Sequence, residues 1–105
     1  MIAITSTGNT LLAGIDKYFA RCSYFLLFNE TDGSHIFIEN NCRTAKENAG
    51  LLAVDMLLKK GVRKVISGEF GMKVKSVLDE KKIQMILISD INKTINDIIT
   101  LLKGK

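Results

Sequence analysis

The chain contains two cysteines, Cys22 and Cys42, which are the side chains with the clearest capacity for chemistry. Two thiolates can share one soft metal ion or bridge a metal–sulfur cluster. Arg21, next to Cys22, could lower the pKa of that thiol or neutralise an anionic ligand; as an alternative, it forms a surface ion pair. Neither cysteine belongs to a CxxC pair, and iron–sulfur clusters usually take about four thiolates. Cysteines are also common small fillers of apolar cores, so the sequence leaves both interpretations of the pair open.

A second candidate is the segment Gly68–Gly71, which the sequence places between a strand and a helix. Free backbone N–H groups and the helix dipole at such a position suit an anion, for example a phosphate or an anionic cluster. The segment is not a Walker loop, because no Gly-Lys-Ser/Thr follows it, and Glu69 would repel an anion. The alternative is a tight turn that needs glycine for its backbone conformation.

The sequence shows no grouping of residues that would catalyse a reaction. Two-metal phosphoryl chemistry needs clustered carboxylates, and the first predicted strand, IAITS, carries none. His35 is the only histidine, and it begins a predicted strand. No Ser, Cys or Asp lies where it could form a catalytic arrangement with this histidine. We therefore expect no nuclease or hydrolase activity, and a binding or carrier protein rather than an enzyme.

Length and composition indicate one domain, residues 1–105, with 47% hydrophobic and 25% charged residues. Apolar runs are strand-sized, far short of the roughly 20 residues that span a membrane. The N-terminus lacks the pattern of a signal peptide, so we expect reduced thiols and a cytoplasmic protein without a membrane partner.

The net charge is +4, and most of the Lys and Arg residues lie in the second half of the chain. That basic half could attract nucleic acid or an acidic partner. Many of its lysines occur as pairs at predicted element ends, and the predicted strands lack aromatic residues that look exposed, as nucleic-acid binding would require. The pattern therefore argues against nucleic-acid binding.

Hydrophobic periodicity predicts an α/β fold with the order βββαβαβα. The predicted strands are Ile2–Thr5, Ser23–Asn29, His35–Glu39, Val62–Ser67 and Ile83–Ser89. The second and third strands form an antiparallel hairpin through Asp32-Gly33, and the later strands are joined by βαβ crossovers.

Three helices are predicted. The first covers Thr44–Lys60, with Thr44 and Glu47 as a capping box, and the second covers Met72–Lys81. Asp90 is predicted to cap the third, whose apolar stripe consists of Ile91, Ile95, Ile98, Ile99 and Leu102.

Three segments carry a resemblance to a known family: Tyr18–Leu26 (YFARCSYFL), Ala49–Val54 and Val65–Gly71. They resemble the dinitrogenase iron-molybdenum cofactor biosynthesis family over nearly the whole chain. Tyr18 and Ala20 stand where the family often has His and Gly. The resemblance implies a ribonuclease-H-like fold, a five-stranded mixed sheet in the order 3-2-1-4-5 with three helices, and a non-catalytic protein that binds or carries metal–sulfur clusters.

That strand order has a geometric consequence. Strands 1, 3, 4 and 5 would run in one direction, so their carboxyl ends share an edge with the start of strand 2, and ligands of open α/β sheets bind at such an edge. The residues expected to bind a cofactor there are Asn9, Arg21, Cys22, Cys42, Gly68 and Gly71. Because strands 2 and 3 pair, Cys22 and Cys42 are expected at neighbouring strand ends as metal ligands.

Two functions follow from these observations. The first is a carrier of an iron–sulfur or iron–molybdenum-type cluster, with a cluster donor or acceptor protein as partner. A homodimer, cluster sulfides or that partner would complete the ligands. The alternative is a metal-free anion- or nucleotide-binding regulatory module that uses Gly68 and Arg21.

Overall fold

A computed structural model describes residues 1–90 and 92–104. The five predicted strands form one mixed sheet in the order β3-β2-β1-β4-β5, as expected. β2 is antiparallel to β1 and β3, whereas β4 is parallel to β1 and β5. The strands are β1 Ile2–Ser6, β2 Tyr24–Phe28, β3 His35–Glu39, β4 Lys64–Ser67 and β5 Gln84–Leu87; the helices are α1 Ala49–Lys59, α2 Met72–Glu80 and α3 Ile95–Lys103, with a short 3-10 helix at Asn41–Thr44.

Helices cover both faces of the sheet. Successive side chains of a strand point to opposite faces, so Ala3 of β1 packs with α1 and α2, whereas Ile2 and Ile4 pack with α3. All five residues of β1 are buried. This explains why β1 reads as an uninterrupted apolar and small-residue strand rather than an alternating one.

The start of α1 differs from the prediction. The capping box of Thr44 and Glu47 is wrong, because α1 begins at Ala49 and Ala45 is extended. The guanidinium of Arg21 donates hydrogen bonds to the carbonyl oxygens of Arg43 and Ala45, at 2.6 and 2.7 Å. A side chain from a distant part of the sequence therefore binds the Ala45 carbonyl, which a helix capped by Thr44 would have used for its own hydrogen bonds.

The cap of α3 was also predicted wrongly. Thr94, not Asp90, caps this helix, and it forms a capping box with Asp97. The Asp90 carboxylate instead accepts the backbone N–H of Asn92 in a local turn. The apolar stripe is buried at Ile95, Ile98 and Ile99 and partly buried at Leu102, whereas its predicted member Ile91 lies outside the described residues.

β4 and β5 each begin later than predicted. The backbone N–H of Val62 donates to Leu57 O, and that of Ile83 donates to Leu78 O. These bonds close the C-termini of α1 and α2 after the left-handed residues Gly61 and Lys82. The predicted hairpin turn at Asp32-Gly33 is confirmed, and Gly33 there has the positive φ, 75°, that tight hairpin turns require. No helix in the described part of the chain has the length and apolarity to cross a membrane.

Candidate functional site

The carboxyl ends of four parallel strands meet at one edge of the sheet, as predicted. The pairing pattern gives β1, β3, β4 and β5 the same direction and β2 the opposite one. The loops after these strand ends, and the segment before β2, therefore form the edge on which a ligand of this fold class is expected.

Cys22 lies in the hydrophobic core beneath that edge, with no exposed surface. Its thiol donates to the carbonyl oxygen of Phe19 at 3.4 Å. Burial, with the nearby charge of Asp16, raises the pKa of this thiol from 9.0 to about 12. At neutral pH the side chain is therefore a thiol rather than a metal-binding thiolate.

Cys42 follows β3 and is partly exposed. It lines an open depression on the side of α1 that carries Asp55, Lys59 and Lys60. The buried Asn40 side chain connects the two cysteine segments, because its Nδ2 donates to Cys22 O at 2.9 Å and its Oδ1 accepts from Cys42 N at 3.1 Å. The cysteines are neighbours along paired strand ends, but one thiol belongs to the core and the other to a surface depression.

Gly68 has a structural explanation. Its N–H donates to Asp16 O at 3.1 Å, so the N–H expected to face an anion is occupied. A Cβ at this position would come within 2.6 Å of Lys17 Cα. Glycine is therefore required for close approach of the segment Asp16–Lys17, and the following bridge between Tyr18 and Glu69 extends that contact.

Two depressions that share Ala20, Arg21 and Val74 lie beside this contact, with volumes of about 210 and 200 Å³. We call them together the Arg21 groove. Its lining residues are Tyr18, Phe19, Ala20, Arg21, Asn48, Ala49, Gly50, Leu51, Glu69, Gly71, Lys73 and Val74.

The N-termini of α1 and α2 both border the Arg21 groove. Neither helix has a side-chain cap or an acidic residue in its first turn, whereas α3 has both. The first backbone N–H groups of a helix have no partner within it and carry a partial positive charge. Two such ends converge here with the cations Arg21 and Lys73, while Glu69 is the one carboxylate among the lining residues.

Close packing of the two helices produces this convergence. A Cβ at Gly50 would collide with the side chain of Val74, so glycine in the first turn of α1 lets α2 approach. Gly71, by contrast, has an ordinary φ of −68° and open space around it. Gly71 therefore borders the groove, but its backbone conformation does not require glycine.

Sequence reasoning placed Arg21 and Gly71 in the site region but missed Lys73 and the segment Asn48–Leu51. One feature of the sequence could have indicated these residues: the first turns of α1 and α2 contain no acidic residue. That signal could not be used at α1, because the predicted helix began at Thr44. Asn9 is exposed in the loop after β1 and does not line the Arg21 groove.

A neighbouring cavity of about 330 Å³ also opens on the carboxyl edge, between Gly68 and the end of β5. Lys17, Glu69 and Asp90 line it, so its charges are mixed and it selects less clearly for an anion. Across residues 1–90 and 92–104, no three His, Cys, Asp or Glu side chains lie close enough together to hold a metal ion.

Comparison with known proteins gives one family match. A family model described as dinitrogenase iron-molybdenum cofactor matches residues 1–104. No curated protein matches the chain.

The solved structures that match this chain include two with the same fold over nearly its whole length. The apo form of the orange protein from Desulfovibrio gigas has a TM-score of 0.87 at 24% identity, covering 98% of this chain and 87% of that one. A Thermotoga protein of the DUF35 family, described as a candidate NifB protein, has a TM-score of 0.81 at 24% identity, covering 98% and 86%. At this identity, the likeness establishes the fold.

Proposed function

This chain belongs to the dinitrogenase iron-molybdenum cofactor family, and we propose that it binds and carries an anionic metal–sulfur cluster, without transforming it, in the Arg21 groove. The observation that carries the proposal is the convergence of two uncapped helix N-termini with Arg21 and Lys73. Backbone N–H groups at helix N-termini are favourable partners for anions.

The donors of the groove fit a cluster that brings its own sulfides. Cluster sulfides accept hydrogen bonds, and the groove offers N–H donors and cations rather than thiolates. Cys22 is buried as a thiol, and Cys42 lies in a different depression. The cluster is therefore held as an anion by non-covalent contacts, which suits a carrier that must release its cargo.

Arg21 is already fixed in place. Its Nη1 donates to Arg43 O and Ala45 O, and a guanidinium has five N–H donors in a rigid fork. Within residues 1–90 and 92–104, the hydrogen bonds of this guanidinium are made by Nη1. Nε and Nη2 can therefore donate to a ligand without further ordering of a long side chain.

Tyr18 lines the groove and is 51% exposed. A neutral phenol is a poor metal ligand but a good hydrogen-bond donor. Many family members have histidine, a possible metal ligand, at this position. Tyr18 would instead donate a hydrogen bond to a sulfide of the cluster.

The groove lacks the partners for catalysis. Glu69 is its single carboxylate, and no serine, cysteine or histidine stands beside it among the lining residues. We therefore assign a carrier rather than an enzyme, with a cytoplasmic cluster donor or acceptor protein as its partner.

The second candidate is a metal-free module that binds phosphate or a nucleotide. The same uncapped helix ends favour it, because they suit phosphate as well. The two candidates differ in the anion that binds.

Anaerobic titrations separate the two candidates. We expect the molybdenum–sulfur dianion tetrathiomolybdate to bind more tightly than inorganic phosphate or ATP, as measured by absorbance and calorimetry. Arg21→Gln and Lys73→Gln should each weaken binding by at least about tenfold, since a lost charge-assisted hydrogen bond costs about 1.5–3 kcal/mol.

Lys75→Gln is the matched control, because Lys75 is an exposed lysine of α2 that does not line the groove. Equal losses in the Lys73 and Lys75 variants would indicate a general charge effect and contradict the proposed site. Tighter binding of phosphate or ATP would favour the second candidate.

A further inference from the structure

β3 is an edge strand whose outer side is free. It pairs with β2 on one side, and in the described part of the chain no strand pairs with its other side. His35, Ile36 and Glu39 are exposed, Ile36 to 60%. Exposed edges are usually protected by charged side chains, especially Lys, by Pro or by a bulge. The sequence HIFIE contains neither Lys nor Pro, and Glu39 at its end is its one acidic residue.

The β2–β3 ladder identifies which backbone groups face outward. Asn40 N donates to Ser23 O at one end of the hairpin, and Asn29 N donates to Ser34 O at the other. Hydrogen-bonded positions alternate along an antiparallel strand, so Ile36 and Ile38 direct their backbone groups toward β2. The N–H and C=O groups of His35, Phe37 and Glu39 therefore point to the free edge.

The order of residues in β3 is self-complementary about Phe37. If a second copy pairs antiparallel with Phe37 opposite the partner's Phe37, His35 lies opposite the partner's Glu39, and Ile36 lies opposite the partner's Ile38. The outward backbone groups then fall in the hydrogen-bonded positions of the new ladder. Register, side-chain hydrogen-bonding capacity and backbone polarity agree in this one arrangement.

We propose that two copies of the chain associate through antiparallel β3–β3 pairing, which joins their sheets into one ten-stranded sheet across a two-fold axis. Each copy contributes the same three residues with outward backbone groups. The exposed Ile36 gains an apolar partner in a non-hydrogen-bonded position, where side chains are closest. A Phe37 pair and two His–Glu pairs form on the opposite face of the sheet. This inference is independent of the cluster-binding proposal.

The other edge strand does not offer the same match. β5 has four residues, QMIL, and lies directly after Lys81-Lys82 and Ile83. Antiparallel self-pairing would place Gln84 opposite the partner's Leu87, with no complementary charge. The two edges therefore provide a test and a matched control within one molecule.

Sedimentation velocity across a concentration series tests the proposal. The interface is small, so we expect a dissociation constant of about 1–100 µM. Ile36→Glu should weaken dimerisation at least about tenfold. Leu87→Glu, which places the same charge at a residue 58% exposed on β5, should leave dimerisation unchanged. Thermal melts establish that both variants are folded.

A charge exchange tests the register. His35→Glu puts two like charges opposite each other at both ends of the ladder, which is unfavourable, and should weaken dimerisation. Adding Glu39→Lys should restore it, because each Glu at position 35 then faces a Lys. Failure of the double variant to recover dimerisation would contradict the proposed register.

Hydrogen exchange supplies a backbone readout. The amides of His35, Phe37 and Glu39 should become protected as concentration rises, whereas those of Ile36 and Ile38 should be protected throughout. A monomer at about 1 mM, a dimer broken by Leu87→Glu, or unchanged exchange at the three outward amides would overturn the proposal.

Discussion

At the scale of single residues, Cys22 shows how burial changes the role of a reactive side chain. The thiol is fully buried and donates to Phe19 O, and the Asn40 Nδ2 lies 3.7 Å from its sulfur. Burial and the nearby charge of Asp16 stabilise the neutral thiol and raise its pKa, and they outweigh the Asn40 contact, which favours the thiolate. Cys22 therefore joins the segment Tyr18–Cys22 to the core. We predict that this residue supports the groove from below and does not bind the ligand.

The two thiols should therefore react at different rates. With an aromatic disulfide reagent at pH 8, we expect Cys42 to react in the native protein, because it is partly exposed, and Cys22 to react only after denaturation. Cys42→Ala leaves one slow thiol and Cys22→Ala leaves one fast thiol. Equal rates for both cysteines in the native chain would show that Cys22 is accessible.

The raised pKa of Cys22 also predicts a pH dependence of stability. The unfolded thiol ionises near 9.0 and the folded thiol near 12, so the unfolded state loses a proton first as the pH rises. The stabilisation is complete below pH 9 and is lost between pH 9 and 12, by up to about 1.4 kcal/mol per pH unit. Denaturant unfolding should show a shallower decline for Cys22→Ala over this range; parallel declines would contradict the assignment.

Glu69 is the unfavourable charge of the groove. Glu69→Gln should strengthen binding of tetrathiomolybdate by up to about fivefold, since a charge at about 4 Å contributes on the order of 1 kcal/mol in water. Glu80→Gln changes the same charge at the far end of α2 and should alter affinity less. A stronger effect at Glu80 would place the anion elsewhere.

At the scale of elements, the glycines show which turn positions are constrained. Gly68→Ala would push a Cβ against the backbone of Lys17, whereas Gly71→Ala adds a methyl group to open space at an ordinary φ. We expect a loss of about 1–3 kcal/mol in unfolding free energy for the first and a change within about 0.5 kcal/mol for the second. Denaturant melts of the two variants measure this, and equal losses would contradict the geometry.

The order and type of the elements could be predicted because each depends on local periodicity. The start of α1 could not, because Arg21 and Asn40 act on the segment after β3 from outside it. Thr44 and Glu47 match a capping box, but a contact made through the tertiary structure overrides it. The same error hid Asn48–Leu51, and with it half of the Arg21 groove.

The strand order was predicted correctly, whereas the surroundings of each cysteine could not be predicted. Strand order brings Arg21 and Gly71 to the carboxyl edge, and the family resemblance supplied that order. Whether a cysteine side chain points into the core or toward the surface depends on the local backbone conformation. The spacing of the two cysteines in the sequence does not determine it.

At the scale of the whole molecule, the structure separates two surfaces. The Arg21 groove lies at the N-termini of α1 and α2, whereas the β3 edge is formed by a strand that contributes no lining residue to the groove. Ile36→Glu should therefore leave the affinity for tetrathiomolybdate unchanged, measured at a concentration where the wild type is monomeric. A matching loss of affinity would show that the two surfaces depend on each other.

The central claim is that helix ends and cations, rather than thiolates, hold the cluster. The most direct test is the metal and sulfide content of the chain after anaerobic reconstitution with ferrous iron, molybdate and sulfide, followed by gel filtration. We predict that Arg21→Gln/Lys73→Gln loses most of the bound metal and sulfide, while a folded Cys22→Ala/Cys42→Ala variant retains them. Loss of loading in the cysteine variant, with full loading in the Arg21 and Lys73 variant, would contradict the account and assign the cluster to the thiols.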